Sequence, residues 1–288
     1  MAPEYYVFTG RERVPRHVTH VLIDRALKFV RARAFEYHRN IEEVICHDGV
    51  VKIEELAFHE CPSLRRVIMR GVKVLEKEAF QCCVALTSIE CGKLEIIRYH
   101  AFCQCESLNS IDLPSIKILG KYAFDTCLKL INVKFGKELE SIGRGTFVNC
   151  HSLECVALPL TDVNMTDNIF LYCEKLNHID LVGGVHETVA ALLLEEWRND
   201  MNEEIDAINQ ILLNTPADWF DEPGGKTQAI RTWIGSVLRK FVHYKGQHRR
   251  YLNEAIAALQ PALPNDILFK NVLPFVELPS DTCLERED

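Results

Sequence analysis

The sequence predicts a solenoid of stacked repeats closed by an α-helical segment. Three observations carry that expectation. A short apolar-polar motif recurs from residue 18 to about residue 182, a phenylalanine follows each copy but the last at fixed phase, and the spacing of apolar residues becomes helical after Gly183-Gly184.

The motif reads VTHVLI at 18, IEEVIC at 41, LRRVIM at 64, LTSIEC at 86, LNSIDL at 108, LINVKF at 130, LECVAL at 153 and LNHIDL at 176. The phenylalanines are Phe35, Phe58, Phe80, Phe102, Phe124, Phe147 and Phe170, spaced 23, 22, 22, 22, 23 and 23 residues apart. Three residues beyond six of them stand Cys61, Cys83, Cys105, Cys127, Cys150 and Cys173, with His38 in that place in the first copy. In LNSIDL, Leu108, Ile111 and Leu113 are expected to point inward and Ser110 and Asp112 outward, the period-two alternation of a strand with one buried face. A second apolar pair, such as Ile116 and Leu119, makes a further extended pass. The Ala-Phe-x-x-Cys segment fits one turn of helix, with ring and sulfur on the same side.

One repeat cannot fold alone. It buries roughly six large apolar side chains, worth about 1.5–3 kcal/mol each, against the backbone entropy of about 22 residues at roughly 1–2 kcal/mol each. Adjacent copies must complete one another's cores, and both ends of such a stack need caps.

The pattern L-x-x-I-x-L … I-G-x-x-A-F-x-x-C resembles the BspA-like subclass of leucine-rich repeats, most cleanly over Leu108–Cys127 and Leu130–Cys150. The resemblance spans about residues 18–182. It implies an α/β fold, a curved leucine-rich-repeat horseshoe whose parallel sheet lines the concave side. The last copy departs from the pattern, with Asp162 at an apolar position and Ile169 in place of alanine. The phrases LLLEEWRNDM, AIRTWI and HRRYLNEA also resemble the tails of repeat proteins of diatom algae, a likeness that implies a recurring combination and no activity.

Beyond the repeats, Ala190, Leu194, Trp197, Met201, Ile205, Ile208 and Leu212 form one helical stripe, and Ile230, Ile234, Val237, Phe241, Tyr244, His248, Leu252, Ala255 and Leu259 form another. The second is one helix bent near Gly246, or two. Pro261 and Pro264 end it, and 265–275 can form a short last helix. The expected organisation is a capped solenoid over 1–184, an α-helical segment closing it over 185–278, and a flexible tail over 279–288. The first stripe is acidic, with seven acids over 187–213 against Arg198, and the second is basic, with seven bases and no acid over 226–250. An antiparallel hairpin steered by charge accounts for this; an exposed basic face of Arg239, Lys240, Lys245, Arg249 and Arg250 is the sharper alternative.

The net charge of -8 and pI near 5.8 argue against a dedicated nucleic-acid binder. No stretch of about 18 apolar residues suggests a membrane span, and the N-terminus shows no secretory pattern, so a soluble, cytoplasmic protein with reduced thiols is expected. No phosphate-cradling loop, nucleophile elbow or metal-ligand spacing is present, so no catalytic residue, cofactor or metal ligand is assigned. Cys82-Cys83 and Cys103-Gln104-Cys105 remain as weak metal or redox candidates, and Cys155 with His178 as a remote nucleophile pair. Cys82, Cys103, Cys155 and Cys283 are expected to be the exposed cysteines.

Architecture therefore points to a non-catalytic protein-interaction scaffold. Its candidate binding residues are the outward strand positions Arg66, Ser88, Glu90, Ser110, Asp112, Asn132, Lys134, His178 and Asp180, facing a protein partner. In the alternative, the helical tail mediates oligomerisation or binds an anionic surface, and the solenoid is a spacer.

Overall fold

The computed structural model describes residues 4–10, 12–182, 195–217 and 225–261. Among the described residues seven turns each contribute a long strand and a short strand, a further long strand flanks them at either end, and every pairing is parallel because each turn runs the same course as the one before it. The long strands form two ladders in chain order. One holds Tyr6–Phe8, His20–Ile23, Glu43–Ile45, Arg66–Ile68 and Ser88–Glu90; the other holds Ser110–Leu113, Asn132–Phe135, Cys155–Pro159 and His178–Val182. The short strands form a continuous seven-stranded ladder from Phe29–Val30 to Asn164–Met165. Ser110–Leu113 shows the expected alternation, with Ile111 and Leu113 buried and Ser110 and Asp112 exposed.

The Ala-Phe-x-x-Cys segment is not the turn of helix its spacing suggests. In all seven turns the residues two before and two after the phenylalanine adopt left-handed backbone, for example Leu56 and Glu60, His100 and Gln104, or Tyr122 and Thr126. Only the sixth turn places a glycine there, Gly145 at φ 63°. Left-handed backbone costs an ordinary residue roughly 1–2 kcal/mol. The cost is offset by a third ladder of hydrogen bonds: Leu56, Phe58 and Glu60 donate N–H to the carbonyls of Lys77, Ala79 and Gln81 at 3.1, 2.8 and 2.9 Å. A helical turn would direct those N–H groups along its own axis, away from the neighbouring turn.

The phenylalanine rings stack in one column, with centroids 4.8–5.8 Å apart from Phe35 to Phe170 and planes within 15° of parallel. Phe8 closes the column at its N-terminal end, 4.7 Å from Phe35. Each ladder thiol is buried and donates to the carbonyl of the phenylalanine one turn earlier, from Cys61 to Phe35 at 3.1 Å through Cys173 to Phe147 at 3.0 Å. His38 fills the same place in the first turn, where its Nε2 lies 3.0 Å from the Pro15 carbonyl. Burial pushes the Cys61 thiol up to about 12 and holds Cys83, Cys105 and Cys150 well above the ordinary thiol range.

Among the described residues two helices follow, α1 over Glu195–Asn214 and α2 over Lys226–Leu259. The second is a single helix that runs through Gly246; it stops before Pro261, whose ring cannot continue it. Trp197, Met201, Ile208 and Leu212 of α1 are buried with Ile230, Trp233, Ile234, Val237 and Phe241 of α2, in one core continuous with the solenoid's. Lys240 of α2 reaches Asp200 of α1 at 3.1 Å and also pairs with Glu204, which join the basic and acidic helices. Ala190, Leu194, the short helix expected over 265–275 and the tail after 279 lie outside the described residues, as does the expected boundary at 184.

The helices supply the partners that a further turn would have supplied. Phe170 N–H donates to Thr227 Oγ1 at 3.2 Å, and Ile179 N–H on the outermost long strand donates to Asn209 Oδ1 at 2.8 Å. Arg231 donates to the Thr166 carbonyl at 2.7 Å. The buried Lys226 ammonium binds the carbonyls of Cys173 and Glu174 at 3.2 and 2.9 Å, and that of Leu176. An open sheet edge invites pairing with other chains; here side chains from α1 and α2 occupy it.

Candidate partner-binding surface

The strand face is built in two rows by the register of the ladders. In the first row Arg66 lies opposite Ser88, and Ser110, Asn132, Cys155 and His178 follow across the second ladder. In the second row Ile68 lies opposite Glu90, and Asp112, Lys134, Ala157 and Asp180 follow. Arg66, Ser88, Ser110, Asp112, Asn132, Lys134, His178 and Asp180 are exposed and Glu90 is half-buried. The structure therefore brings these nine residues onto one face, although the ladder is interrupted between Ser88–Glu90 and Ser110–Leu113.

The two halves of that face differ in chemistry. In the N-terminal half, Arg66 bridges Glu43 at 3.1 Å and Glu90 at 2.7 Å, and Arg70 meets Glu90 at 2.6 Å. Tyr5 donates its hydroxyl to Glu43. The two arginines hold the Glu90 carboxyl below the usual carboxylate range, through hydrogen bonds first and charge second. Beside this network the second row is apolar: Val7, Leu22, Ile45 and Ile68 are successive register partners, with Val7 45% and Leu22 36% exposed. Sequence reading missed this row because each residue is unremarkable in its own copy; aligning the copies in a column would have shown it. In the C-terminal half the rows are mostly polar, interrupted by Cys155 and Ala157, with Asp112 and Lys134 directly opposed.

The basic residues of α2 divide by role. Lys226 and Arg231 close the solenoid, and Lys240 pairs with α1. Arg239, Arg249 and Arg250 are exposed, with Val242 and Tyr251 also exposed near them; the Lys245 side chain lies outside the described residues. Among those residues no helix is long and apolar enough to cross a membrane.

The remaining cysteines are sorted by the turns. Cys155 and His178 are cross-strand partners, but burial and the nearby Asp180 push the thiol up, the wrong direction for a nucleophile. Cys82 is half-buried, and its thiol donates to Gln104 Oε1 at 2.8 Å. Cys91 is half-buried beside the ladder interruption. Cys103, expected to be exposed, is only 4% exposed, because the turn folds it beneath its neighbours. Its thiol lies 3.9 Å from Asp125 Oδ2, and with His100 these residues place one ligand atom each within 4.8 Å of one another. Cys283 lies outside the described residues.

Comparison with known proteins agrees with this architecture. The sequence profile of the BspA type leucine rich repeat region matches six copies, over residues 16–115 and 95–191. No curated protein matches the chain. Among solved structures, a leucine rich cell surface protein from Faecalibacterium prausnitzii is similar at 25% identity over 61% of this chain and 49% of that one, with a TM-score of 0.49. The match thus spans about half of that relative's length. The T. pallidum leucine rich repeat protein is similar at 25% identity over 57% of this chain and 85% of that one, with a TM-score of 0.44. Leucine-rich repeats in general serve as protein-interaction scaffolds. On the repeat profile and the coil it describes, the chain belongs to the BspA-type leucine-rich-repeat family.

Proposed function

We propose that the chain is a non-catalytic scaffold that docks a protein partner on its long-strand face. The observation that carries the reading is the division of that face. The apolar row Val7–Leu22–Ile45–Ile68 lies beside the Glu43–Arg66–Glu90–Arg70 network, and the polar rows lie beyond it. An apolar strip rimmed by charged and polar groups is the composition of a binding surface, and a rigid stack presents it without rearrangement. The ladder thiols donate as protonated groups, which fits a reducing, cytoplasmic setting.

The test is a capture experiment with the full chain against a Glu90→Lys, Asp112→Lys, Asp180→Lys variant and, separately, Leu22→Asp. Loss of the same partner from both variants, with circular dichroism and melting temperature retained, supports the reading. Partners unchanged in both remove this face from consideration. The second reading, in which α2 binds an anionic surface or a second copy, draws on the exposure of Arg239, Arg249, Arg250 and Tyr251. Cosedimentation with phosphatidylserine vesicles, and the mass of the full chain in solution, separate it from the first.

A further inference from the structure

A file of chemistry-bearing side chains runs along the outer turns, on a different ladder from the strand face. The position just after the phenylalanine holds Glu36, His59, Gln81, Cys103 and Asp125 in the first five turns, and the apolar Val148 and Leu171 in the last two. Cys103 and Asp125 are thus equivalent residues one turn apart. His100 holds the first left-handed position of the Cys103 turn, at φ 55°, which directs its ring to the same spot. The three ligand atoms all lie within 4.8 Å of one another, with Sγ and Oδ2 at 3.9 Å.

We propose that His100, Cys103 and Asp125 form a zinc site joining two turns, with a fourth position open to solvent. A tetrahedral zinc with bonds of about 2.0–2.3 Å sets its ligand atoms about 3.3–3.6 Å apart, so the sulfur–carboxylate pair is already near that span and the rest closes by up to about 1.5 Å. Thiolate, imidazole and carboxylate together are a donor set suited to zinc.

The surroundings orient the ligands as a metal site requires. Asp125 Oδ1 accepts from Thr126 Oγ1 at 2.9 Å and from Asn149 Nδ2 at 3.3 Å, which leaves Oδ2 for the site. The His100 ring stacks on Tyr99 at 3.8 Å and meets the edge of Tyr122 at 5.6 Å. Its nitrogens make no hydrogen bond among the described residues. Glu78 adds negative field and Lys77 opposes it. Burial and Asp125 push the Cys103 thiol up to about 12. The protonated thiol turns its S–H toward the Asp125 carboxylate, and a cation bound between the two takes the place of that proton. On binding, the Cys103 S–H bond breaks, the proton leaves to solvent and the sulfur pair bonds the metal; no electron is transferred.

The test titrates chelator-stripped full chain with Co2+ as an optical probe and displaces it with Zn2+. One Co2+ per chain with a thiolate-to-cobalt charge-transfer band is expected, the band lost in Cys103→Ser and retained in Cys82→Ser. Affinity falls at least about tenfold in His100→Asn and Asp125→Asn, and about 10–100-fold in Asn149→Ala, which removes a group that orients a ligand. If Cys103→Ser does not fold, His100→Asn decides, because asparagine tolerates the left-handed backbone. Absence of the band, its survival in Cys103→Ser, or unchanged affinity in His100→Asn overturns the site. Failure here leaves the strand-face reading untouched, since the two use different ladders.

Discussion

The Cys127 sulfur lies 3.3 Å from the carbonyl oxygen of Phe102, one turn earlier, and that same oxygen accepts the Cys105 N–H at 3.2 Å. The carbonyls of Phe35, Phe80, Phe102, Phe124 and Phe147 each serve two turns in this way. The thiol column is a hydrogen-bonded seam between turns as well as a set of small apolar fillers, and this gives the stack a directional tie that packing alone lacks.

Cys127→Ala is therefore expected to lower stability by about 1–2 kcal/mol, through the lost sulfur volume and the lost donor. Cys127→Ser keeps a donor at the same place and is expected to cost less than alanine. Urea unfolding of both variants checks the order. If serine costs more than alanine, the thiol acts as filler alone.

Lys226→Met keeps much of the side-chain volume but leaves the carbonyls of Cys173, Glu174 and Leu176 without the ammonium that binds them. Hydrogen bonds to a charged group contribute about 1.5–3 kcal/mol, so a loss of at least about 2 kcal/mol is expected. Amide exchange should locate it: Phe170 and Ile179, whose N–H groups donate to Thr227 and Asn209, exchange faster while Phe58 and Phe80 do not. Uniform acceleration along the solenoid would contradict a local cap.

The N-terminal cap should be acid-sensitive. Glu12 accepts from the Thr9 hydroxyl at 2.5 Å and the Thr9 N–H at 3.1 Å, and these bonds lower its carboxyl from an ordinary 4.5 to about 2. A carboxyl whose folded pKa is depressed binds its proton more readily in the unfolded chain. Its stabilising contribution is full above about 4.5 and is lost as pH falls toward about 2. Melting temperatures of the protein and of Glu12→Gln should differ most at neutral pH and converge in that window. A constant difference down to the acid end would show that the Thr9 bonds do not depend on the charge.

The coil, its phenylalanine and cysteine columns and the helical hairpin were legible because burial repeats. A side chain that points inward must be apolar in every copy, so a column of Phe58, Phe80 and Phe102 announces its own depth. The charge opposition of the two helices likewise anticipated the pairing of Lys240 with Asp200 and Glu204. The turn around each phenylalanine was misread as helix because Ala-Phe-x-x-Cys has helical spacing. Left-handed backbone at residues such as Leu56 and Glu60 leaves no mark in residue type when glycine is not used.

The sequence by itself determined the pitch of the coil, the contents of its core and the family to which it belongs. Only the tertiary structure decided which groups meet across turns: thiol with phenylalanine carbonyl, Lys226 with the open end, and His100 and Cys103 with Asp125. Periodicity reports the direction of a side chain within its own copy. Contacts between copies depend on the backbone angles that offset one turn against the next, and those emerge when the hydrogen-bond ladders close.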